Sequence, residues 1–305
     1  MPQRYAKIAH QLYIPWWAFE ITIWLGLALT FSYHVYGHIY GGPLILRVLS
    51  GIAGLVLVYG SFIEPRFITV KKYEVGNGNR TVTIVFLSDL HAGVYKRERW
   101  FKKLTARTNA LGADLILLGG DYLFDRASDA PLLAPLSELK APLGVFAMLG
   151  NHDDYYGSKE TVGQFEAMKI PLLVNSSIRI AGKGLTIVGL EDDWYADARF
   201  DAATQGVDTD DALILLSHNP ELAVNGLKDM PRKPALILSG HDHGGQIRLP
   251  LIGSIWPMPH FLGRKFDRGI FDIGAPLIIG QGVGESGPRA RLFCPPQIVL
   301  ITLKY

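Results

Sequence analysis

The sequence is poor in cysteine and in charged residues. Its 305 residues include one cysteine, Cys294, so no disulfide can form within the chain, which agrees with a reducing compartment. Charged residues make up 19% of the chain, and the net charge of +2 is not gathered into any dense run of lysine and arginine. Nucleic acid therefore has little electrostatic attraction to this protein, and we expect no nucleic-acid partner.

Long hydrophobic runs are concentrated near the start of the chain. Two apolar stretches, residues 13–33 and 44–63, are close to the ~20 residues that a helix needs to cross a bilayer. Tryptophan and tyrosine lie near their ends, where interfacial aromatic residues belong. Glu20 and Arg47 interrupt the stretches, but each lies near an end and could reach the interface. We predict two transmembrane helices; the alternative is an amphipathic hairpin on the membrane surface.

The basic residues around these stretches predict their orientation. Lysine and arginine occur before the first stretch and after the second, at Arg4, Lys7, Arg66, Lys71 and Lys72. The link at residues 34–42 has neither, and Arg47 near the outer end is the one exception. By the positive-inside rule both ends face the cytoplasm. We expect a multi-pass inner-membrane protein whose partner is the lipid bilayer, with residues 1–75 as anchor and 76–305 as a cytoplasmic catalytic domain.

Five further apolar runs each end in residues that can bind a metal ion or move a proton. The runs are TVTIVFLSD, DLILLGGD, GVFAMLGNHD, ALILLSHN and ALILSGHDH, and their length and bounding residues predict buried strands. In open α/β sheets, functional groups collect beyond the carboxyl ends of the strands. The polar residues there are Asp89, His91, Asp121, Asn151, His152, His218, His241 and His243. One of them alone could be a loop histidine or a helix cap, but together they predict one site.

The chemistry of these side chains favours two catalytic metal ions. Carboxylate, amide and imidazole groups without thiolate suit Mn²⁺, which we expect first, or Fe or Zn²⁺, in a site with open positions. They argue against a structural zinc site, which favours cysteine. With Asp121 shared, the other ligands can divide into two half-shells, and two ions about 3.5–4 Å apart form a clamp for in-line displacement at phosphorus.

The motifs D-x-H, GGD, GNHD, H and GH-x-H, in this order, resemble the calcineurin-like metallophosphoesterases. GHDHGGQIRLP and the tail GQGVGESGPRARLFCPPQIVLITL resemble the membrane-anchored YaeI/YkuE-type branch, and the similarity covers residues 63–305. The resemblance implies an α/β fold, a four-layer α/β/β/α sandwich preceded by two transmembrane helices. Asp242 stands where this branch usually has a smaller or hydroxylated residue, and this departure removes no ligand.

The resemblance also implies a role for each side chain. The first metal ion would be held by Asp89, His91 and His243, the second by Asn151, His218 and His241, and both by Asp121. His152 follows a ligand, so its ring should lie near the metal ions, and because imidazole titrates near neutral pH we expect it to protonate the leaving oxygen. The alternative is a loop histidine bonded to Asp153.

The remaining patterns predict the elements that surround the site. Helical patterns occur at residues 97–111, 131–139, 159–168 and 220–227. We expect a second sheet from residues 178–189 and 246–303, and a hairpin connection at KYEVGNGNRTV. The apolar loop at residues 256–262 either folds over the core or borders the site and accepts an acyl chain.

Together these features predict a dinuclear metal-dependent phosphohydrolase. A hydroxide bridging the metal ions would attack a phosphodiester or pyrophosphate, with a lipid-linked substrate such as UDP-2,3-diacylglucosamine as the specific hypothesis. One alternative is a phosphodiesterase acting on soluble or cell-wall phosphodiesters. Another, of a different class, is a non-catalytic binding scaffold on the same fold, which loss of ligands would mark.

Overall fold

The part of the chain that carries the predicted ligands folds around two β-sheets packed face to face. The computed structural model describes residues 15–255 and 262–305; the start of the expected first span and residues 256–261 of the apolar loop lie outside them. The first sheet contains, in spatial order, β1 (Thr69–Gly76), β13 (Gln297–Lys304), β2 (Thr81–Leu87), β3 (Leu115–Gly119) and β4 (Val145–Met148). The second contains β11 (Gly269–Asp272), β12 (Pro276–Ile279), β8 (Leu236–Ser239), β7 (Ala212–Leu216), β6 (Leu185–Gly189) and β5 (Ser176–Ile180). A separate antiparallel pair is formed by β9 (Arg248–Leu249) and β10 (Gly253–Ser254).

Helices cover the outer face of each sheet. The helices of the whole described chain are α1 (Trp16–Tyr40), α2 (Leu44–Val58), α3 (Glu98–Asn109), α4 (Asn151–Tyr156), α5 (Ser158–Met168), α6 (Phe200–Ala203) and α7 (Pro220–Gly226). One apolar core lies between the first sheet and α3 and α5, a second lies between the sheets, and a third lies between the second sheet and α6 and α7. The four-layer α/β/β/α sandwich is therefore confirmed.

Strand β13 is the main departure from the expected topology. It pairs in parallel with β1, as Thr69 opposite Gln297, and antiparallel with β2, as Ile84 opposite Ile301. The predicted hairpin is therefore wrong, because β13 lies between the two strands that the turn connects. The prediction that residues 246–303 belong to the second sheet is wrong for β13, which lies in the first sheet, whereas β11 and β12 do lie in the second. Strand β13 buries apolar residues on both faces, which only a central position can satisfy.

Two smaller differences concern the boundaries of elements. The predicted helix at 131–139 is a 3₁₀ segment, Ala127–Glu138, because Pro131 and Pro135 lack the N–H that an α-helix needs. Strand β1 begins at Thr69, within the range 1–75 expected to form the anchor, although it pairs in the first sheet. The boundary between anchor and catalytic domain stays a prediction.

Helices α1 and α2 form an apolar pair beside the sandwich. The segments Trp17–Tyr40 and Leu44–Arg66 are each long and apolar enough to cross a membrane, and most of their surface is exposed. They pack closely, since a Cβ on Gly26 would lie 3.1 Å from the Leu57 side chain. The Glu20 side chain does not extend toward a membrane–water interface. It is buried and forms an ion pair with Arg289 of the catalytic domain.

Candidate metal centre

The predicted ligands lie at the carboxyl ends of strands from both sheets. Four of them occupy the same position, two residues beyond the end of β2, β3, β7 and β8, and are Asp89, Asp121, His218 and His241. Asn151 is the first residue of α4, and His91 and His243 each follow another ligand by two residues. The strands β2, β3 and β4 run parallel, as do β7 and β8, so these ends meet at one edge of the sandwich. All seven side chains are buried there.

The ligand atoms converge in two groups that share one carboxylate. One group contains Asp89, His91, Asp121 and His243, and the other contains Asp121, His218 and His241, with the ligand atoms of each group within 4.8 Å of one another. Asn151 joins the second group, because its Oδ1 lies 2.8 Å from Nδ1 of His241. Asp121 stands between the groups, and the division is the one that the resemblance implies.

The backbone at the ligands is held in an unusual conformation. Positive φ angles of 47° to 72° occur at five ligands, Asp89, His91, Asp121, His241 and His243. For a residue other than glycine this region costs about 1–3 kcal/mol and persists only where the surrounding structure enforces it. The strain turns each side chain away from its strand and into the site.

Two glycines of the motifs are required by the close approach of carboxylates. A Cβ on Gly150 would lie 2.4 Å from Oδ1 of Asp121, and a Cβ on Gly240 would lie 2.7 Å from Oδ2 of Asp89. Neither contact is possible for a real side chain, so GNHD and GHDH both need their first residue as glycine. The backbone amide of His241 also donates to Oδ1 of Asp89, at 2.8 Å.

Asp153 holds the loop that carries Asp121, a role the sequence did not reveal. Its Oδ2 accepts hydrogen bonds from the amides of Asp121 (2.9 Å) and Gly150 (3.0 Å), and its Oδ1 from those of Tyr122 (2.8 Å) and Leu123 (3.2 Å). Burial and the charge of Asp121 raise the pKa of Asp153 to about 8, and these N–H donors oppose that shift. Its position in the first turn of α4, after a glycine, was the available signal.

His152 lies at the edge of the ligand groups. Its Nδ1 is 3.1 Å from the carbonyl oxygen of Phe124, in place of the bond to Asp153 considered from the sequence. Its amide donates to Oδ1 of Asp121 at 2.9 Å, and its ring stands edge-on to the His91 ring with centroids 4.6 Å apart. Because Nδ1 donates to a carbonyl, Nε2 is the nitrogen left to exchange a proton.

Two histidine rings in the first group are neutral and face each other. Burial lowers the pKa of His91 and of His243 to about 3. Nδ1 of His91 donates to the carbonyl of Leu123 at 3.1 Å, so its Nε2 presents a lone pair, only 3.0 Å from Nε2 of His243. Two imidazole nitrogens this close together, grouped with the carboxylates of Asp89 and Asp121, fit a bound cation.

The second group carries the charge that a cation would balance. Burial opposes ionisation of both partners, yet attraction to His218 holds the pKa of Asp121 well below its usual range, and Asp121 raises that of His218. Nδ1 of His218 donates to the Gly119 carbonyl at 2.7 Å, and its Nε2 lies 3.2 Å from Oδ2 of Asp121. Since metal binding requires a neutral imidazole, a divalent ion would take the place of the proton between these groups. The residues present therefore fit a metal centre.

A cavity of about 240 Å³ opens onto both groups. Its polar wall includes Asp121, Asn151, His152 and His243, and its apolar wall includes Phe19, Trp194, Ile247 and Pro288. The Trp194 ring stands edge-on to that of His241, with centroids 4.8 Å apart. Neither Phe19 nor Trp194 follows a predicted strand, so the strand-end pattern gave no signal for them.

This two-sheet fold with converging carboxylates and imidazoles at one edge is the architecture of a metal-dependent phosphoesterase. The calcineurin-like phosphoesterase family matches residues 82–245. The chain belongs to that family.

Several bacterial proteins are similar to this chain over most of its length. An uncharacterized metallophosphoesterase of Campylobacter jejuni is 31% identical, over 86% of this chain and 71% of its own length. Phosphodiesterase YaeI of Escherichia coli is 33% identical, over 80% of this chain and 92% of its own. UDP-2,3-diacylglucosamine pyrophosphatase LpxG of Chlamydia muridarum is 25% identical, over 87% of this chain and 98% of its own. The expected enzyme class, a metal-dependent phosphoesterase, is confirmed.

Proposed function

We propose that the protein hydrolyses a phosphodiester or pyrophosphate bond with two divalent metal ions. The ions would share Asp121 and divide the other ligands, with Asp89, His91 and His243 on one and Asn151, His218 and His241 on the other. The observation that carries the proposal is the membership of Asp121 in both groups of converging ligand atoms. Two independent sites would have no need of a common carboxylate, whereas a paired site does.

The ligand set supports Mn²⁺ first, with Fe and Zn²⁺ as alternatives, because it combines imidazole with carboxylate and amide oxygen. When bound, two such ions supply a water of lowered pKa and neutralise charge on the phosphoryl oxygens. Cys294 is no part of this set, since its Sγ lies 3.3 Å from the backbone carbonyl of His243. The protein's own work is to orient the ester and to provide a proton.

His152 is the residue we propose for that proton. Its Nδ1 is engaged by the Phe124 carbonyl, it lines the cavity, and its ring is only partly buried beside the ligands. Nε2 would donate to the departing oxygen as the phosphorus–oxygen bond breaks, which an alkoxide needs and a good leaving group does not.

We propose further that the enzyme is a multi-pass membrane protein whose catalytic domain faces the cytoplasm. Two apolar, largely exposed helices support the anchor. Arg66, Lys71 and Lys72 follow the second helix, whereas the link at residues 34–42 carries no lysine or arginine, and this asymmetry supports the orientation.

The proposed substrate is lipid-linked, with UDP-2,3-diacylglucosamine as the compound to test. The similarity to LpxG over 87% of the chain supports this choice. The similarity to phosphodiesterase YaeI supports the second candidate, a phosphodiesterase acting on soluble or cell-wall phosphodiesters.

Phosphorus NMR of the products distinguishes these candidates. Full-length protein in detergent with Mn²⁺ should convert the pyrophosphate of UDP-2,3-diacylglucosamine into two phosphomonoesters, and Asp121→Ala should abolish the conversion. Faster turnover of bis-p-nitrophenyl phosphate, with the pyrophosphate left intact, would favour the second candidate. Inert protein with both metal positions filled would contradict the proposal.

A further inference from the structure

Helix α1 reaches the cavity of the metal centre. Phe19 lines that cavity together with Asp121 and His152. Its ring lies against the backbone at Gly287, where an added Cβ would stand 3.6 Å from the ring. A segment that the sequence predicts as a membrane anchor therefore contributes a side chain to the lining of this cavity.

An ion pair fixes α1 in this position. The carboxylate of Glu20 accepts two hydrogen bonds from the guanidinium of Arg289, at 2.9 Å and 2.8 Å, and Glu20 is only 8% exposed. The guanidinium also lies over the rings of Phe62 and Tyr95, 5.1 Å and 5.2 Å from their centroids. A bidentate pair of this kind has one geometry, so it sets the direction of the neighbouring Phe19 as well as holding the helix.

The segment around Arg289, which binds α1, is also hydrogen-bonded to the loop that carries His241 and His243. The side chain of Gln246, three residues beyond His243, donates to the carbonyls of Ser286 (3.0 Å) and Pro288 (3.2 Å) and accepts from the amide of Ser286 (2.9 Å). The carboxylate of Glu64, beyond α2, accepts from the amide of Phe293 at 3.0 Å. The helix pair and the metal loop are thus joined through residues 286–294, whereas a flexible tether would need no such contacts.

The two walls of the cavity suit a molecule with two unlike ends. The metal ligands offer a position for phosphate, and Phe19, Trp194 and Pro288 face it with apolar surface. Phe19 shares the inward face of α1 with the buried Ile23, whereas Ile21 and Leu25, 50% and 57% exposed, lie on other faces of the helix. An apolar chain attached to the phosphate would be removed from water where it contacts Phe19.

We propose that Phe19 is a specificity-determining residue that contacts the apolar group of an amphiphilic phosphoester, and that the Glu20–Arg289 pair positions it. This inference rests on the proposed function of the metal centre. It assigns to the anchor a part in substrate selection besides membrane attachment.

The test compares p-nitrophenyl hexadecyl phosphate with p-nitrophenyl methyl phosphate, which share a leaving group and differ in the apolar chain. Full-length protein in nanodiscs with Mn²⁺ should have a higher kcat/KM for the hexadecyl ester. Phe19→Ala should lower the ratio of the two kcat/KM values about tenfold, because the contact removed is that of a few buried methylene groups. Phe31→Ala is the matched control, since Phe31 lies on the same helix and is 71% exposed, and it should keep the wild-type ratio.

A wild-type ratio in Phe19→Ala, or an equal loss in Phe31→Ala, would overturn the inference while leaving the proposed function intact. Absence of metal-dependent hydrolysis of both esters and of UDP-2,3-diacylglucosamine by the wild type would overturn the proposed function itself. Glu20→Gln should lower the ratio through KM and add nothing to the effect of Phe19→Ala in the double variant, as expected of a residue that acts through Phe19. Additive losses would contradict the positioning role.

Discussion

The side chains of His152 and Asp153, which are adjacent in the chain, point in different directions from the start of α4. The ring of His152 stands edge-on to the His91 ring at the cavity, whereas both oxygens of Asp153 accept hydrogen bonds from backbone amides of residues 121–123. The short helix α4 makes this division possible, because consecutive residues at its start face about 100° apart. One side chain is thus available for chemistry and the next for positioning.

Replacing His152 tests the chemical half of that division. We expect His152→Ala and His152→Asn to keep both metal ions but to lose about 10²- to 10⁴-fold in kcat on esters with alkoxide leaving groups, which need a proton. Esters of p-nitrophenol, which leaves as a stable anion, should lose much less. Steady-state kinetics across a series of leaving groups, with metal content measured alongside, checks this. Equal losses across the series would contradict the role of general acid.

The convergence of the predicted ligands could be expected from the sequence, because they follow apolar strands and belong to residue types that bind metal ions. Asp153, Trp194 and Phe19 could not be predicted in the same way. Asp153 accepts hydrogen bonds from backbone amides, which no side-chain pattern records. Phe19 lines the cavity beside the Glu20–Arg289 ion pair, whose partners are 269 residues apart in the chain. Contacts between residues so far apart in the sequence form only in the folded chain and leave no local pattern.

At the scale of elements, β13 joins parts of the chain that lie far apart. It supplies the central pairing for β1 and β2 and buries Ile298, Val299 and Ile301 on its two faces. The local turn after β1 predicted a hairpin, and local turn chemistry has no means of excluding a strand that arrives from the other end of the sequence. Runs such as DLILLGGD were predicted correctly as buried strands, because a buried strand consists of consecutive apolar residues and can be recognised locally.

Truncating one buried side chain of β13 measures how much this strand contributes to the stability of the core. Ile301 is completely buried between the sheets, so Ile301→Ala should lower the free energy of unfolding by about 2–5 kcal/mol. Ile270 on β11 is 45% exposed, and Ile270→Ala is the matched control, with a change expected within about 0.5 kcal/mol. Thermal unfolding of both variants in detergent provides the comparison. Equal shifts would show that β13 is not a central strand.

At the scale of the whole molecule, the proposed membrane helices would bring the metal centre to a membrane surface. Helices α1 and α2 expose most of their apolar surface, and the catalytic domain is bonded to them through Arg289 and residues 286–294. With these helices in a bilayer, as proposed, the cavity would have a fixed direction relative to it. Its side of the membrane is proposed from the distribution of lysine and arginine.

Single-cysteine labelling measures that side directly. The natural Cys294 is completely buried and should stay unlabelled. We expect a membrane-impermeant maleimide to label Tyr40→Cys in intact spheroplasts, because Tyr40 is the last residue of α1 and is 71% exposed. Lys102→Cys, on the exposed side of α3, should react only after permeabilisation. Labelling of Lys102→Cys in intact spheroplasts would reverse the proposed orientation.

The central claim is that Asp121 joins two metal positions into one catalytic site. Metal removal and readdition to the full-length protein, with bound Mn²⁺ and hydrolysis of bis-p-nitrophenyl phosphate followed together, tests it most directly. We predict two ions per chain, with activity restored as the second binds, and we predict that Asp121→Ala lowers both occupancy and activity because it removes a ligand from each group. A single ion that restores full activity, or an Asp121→Ala variant that holds two ions and stays active, would contradict the account.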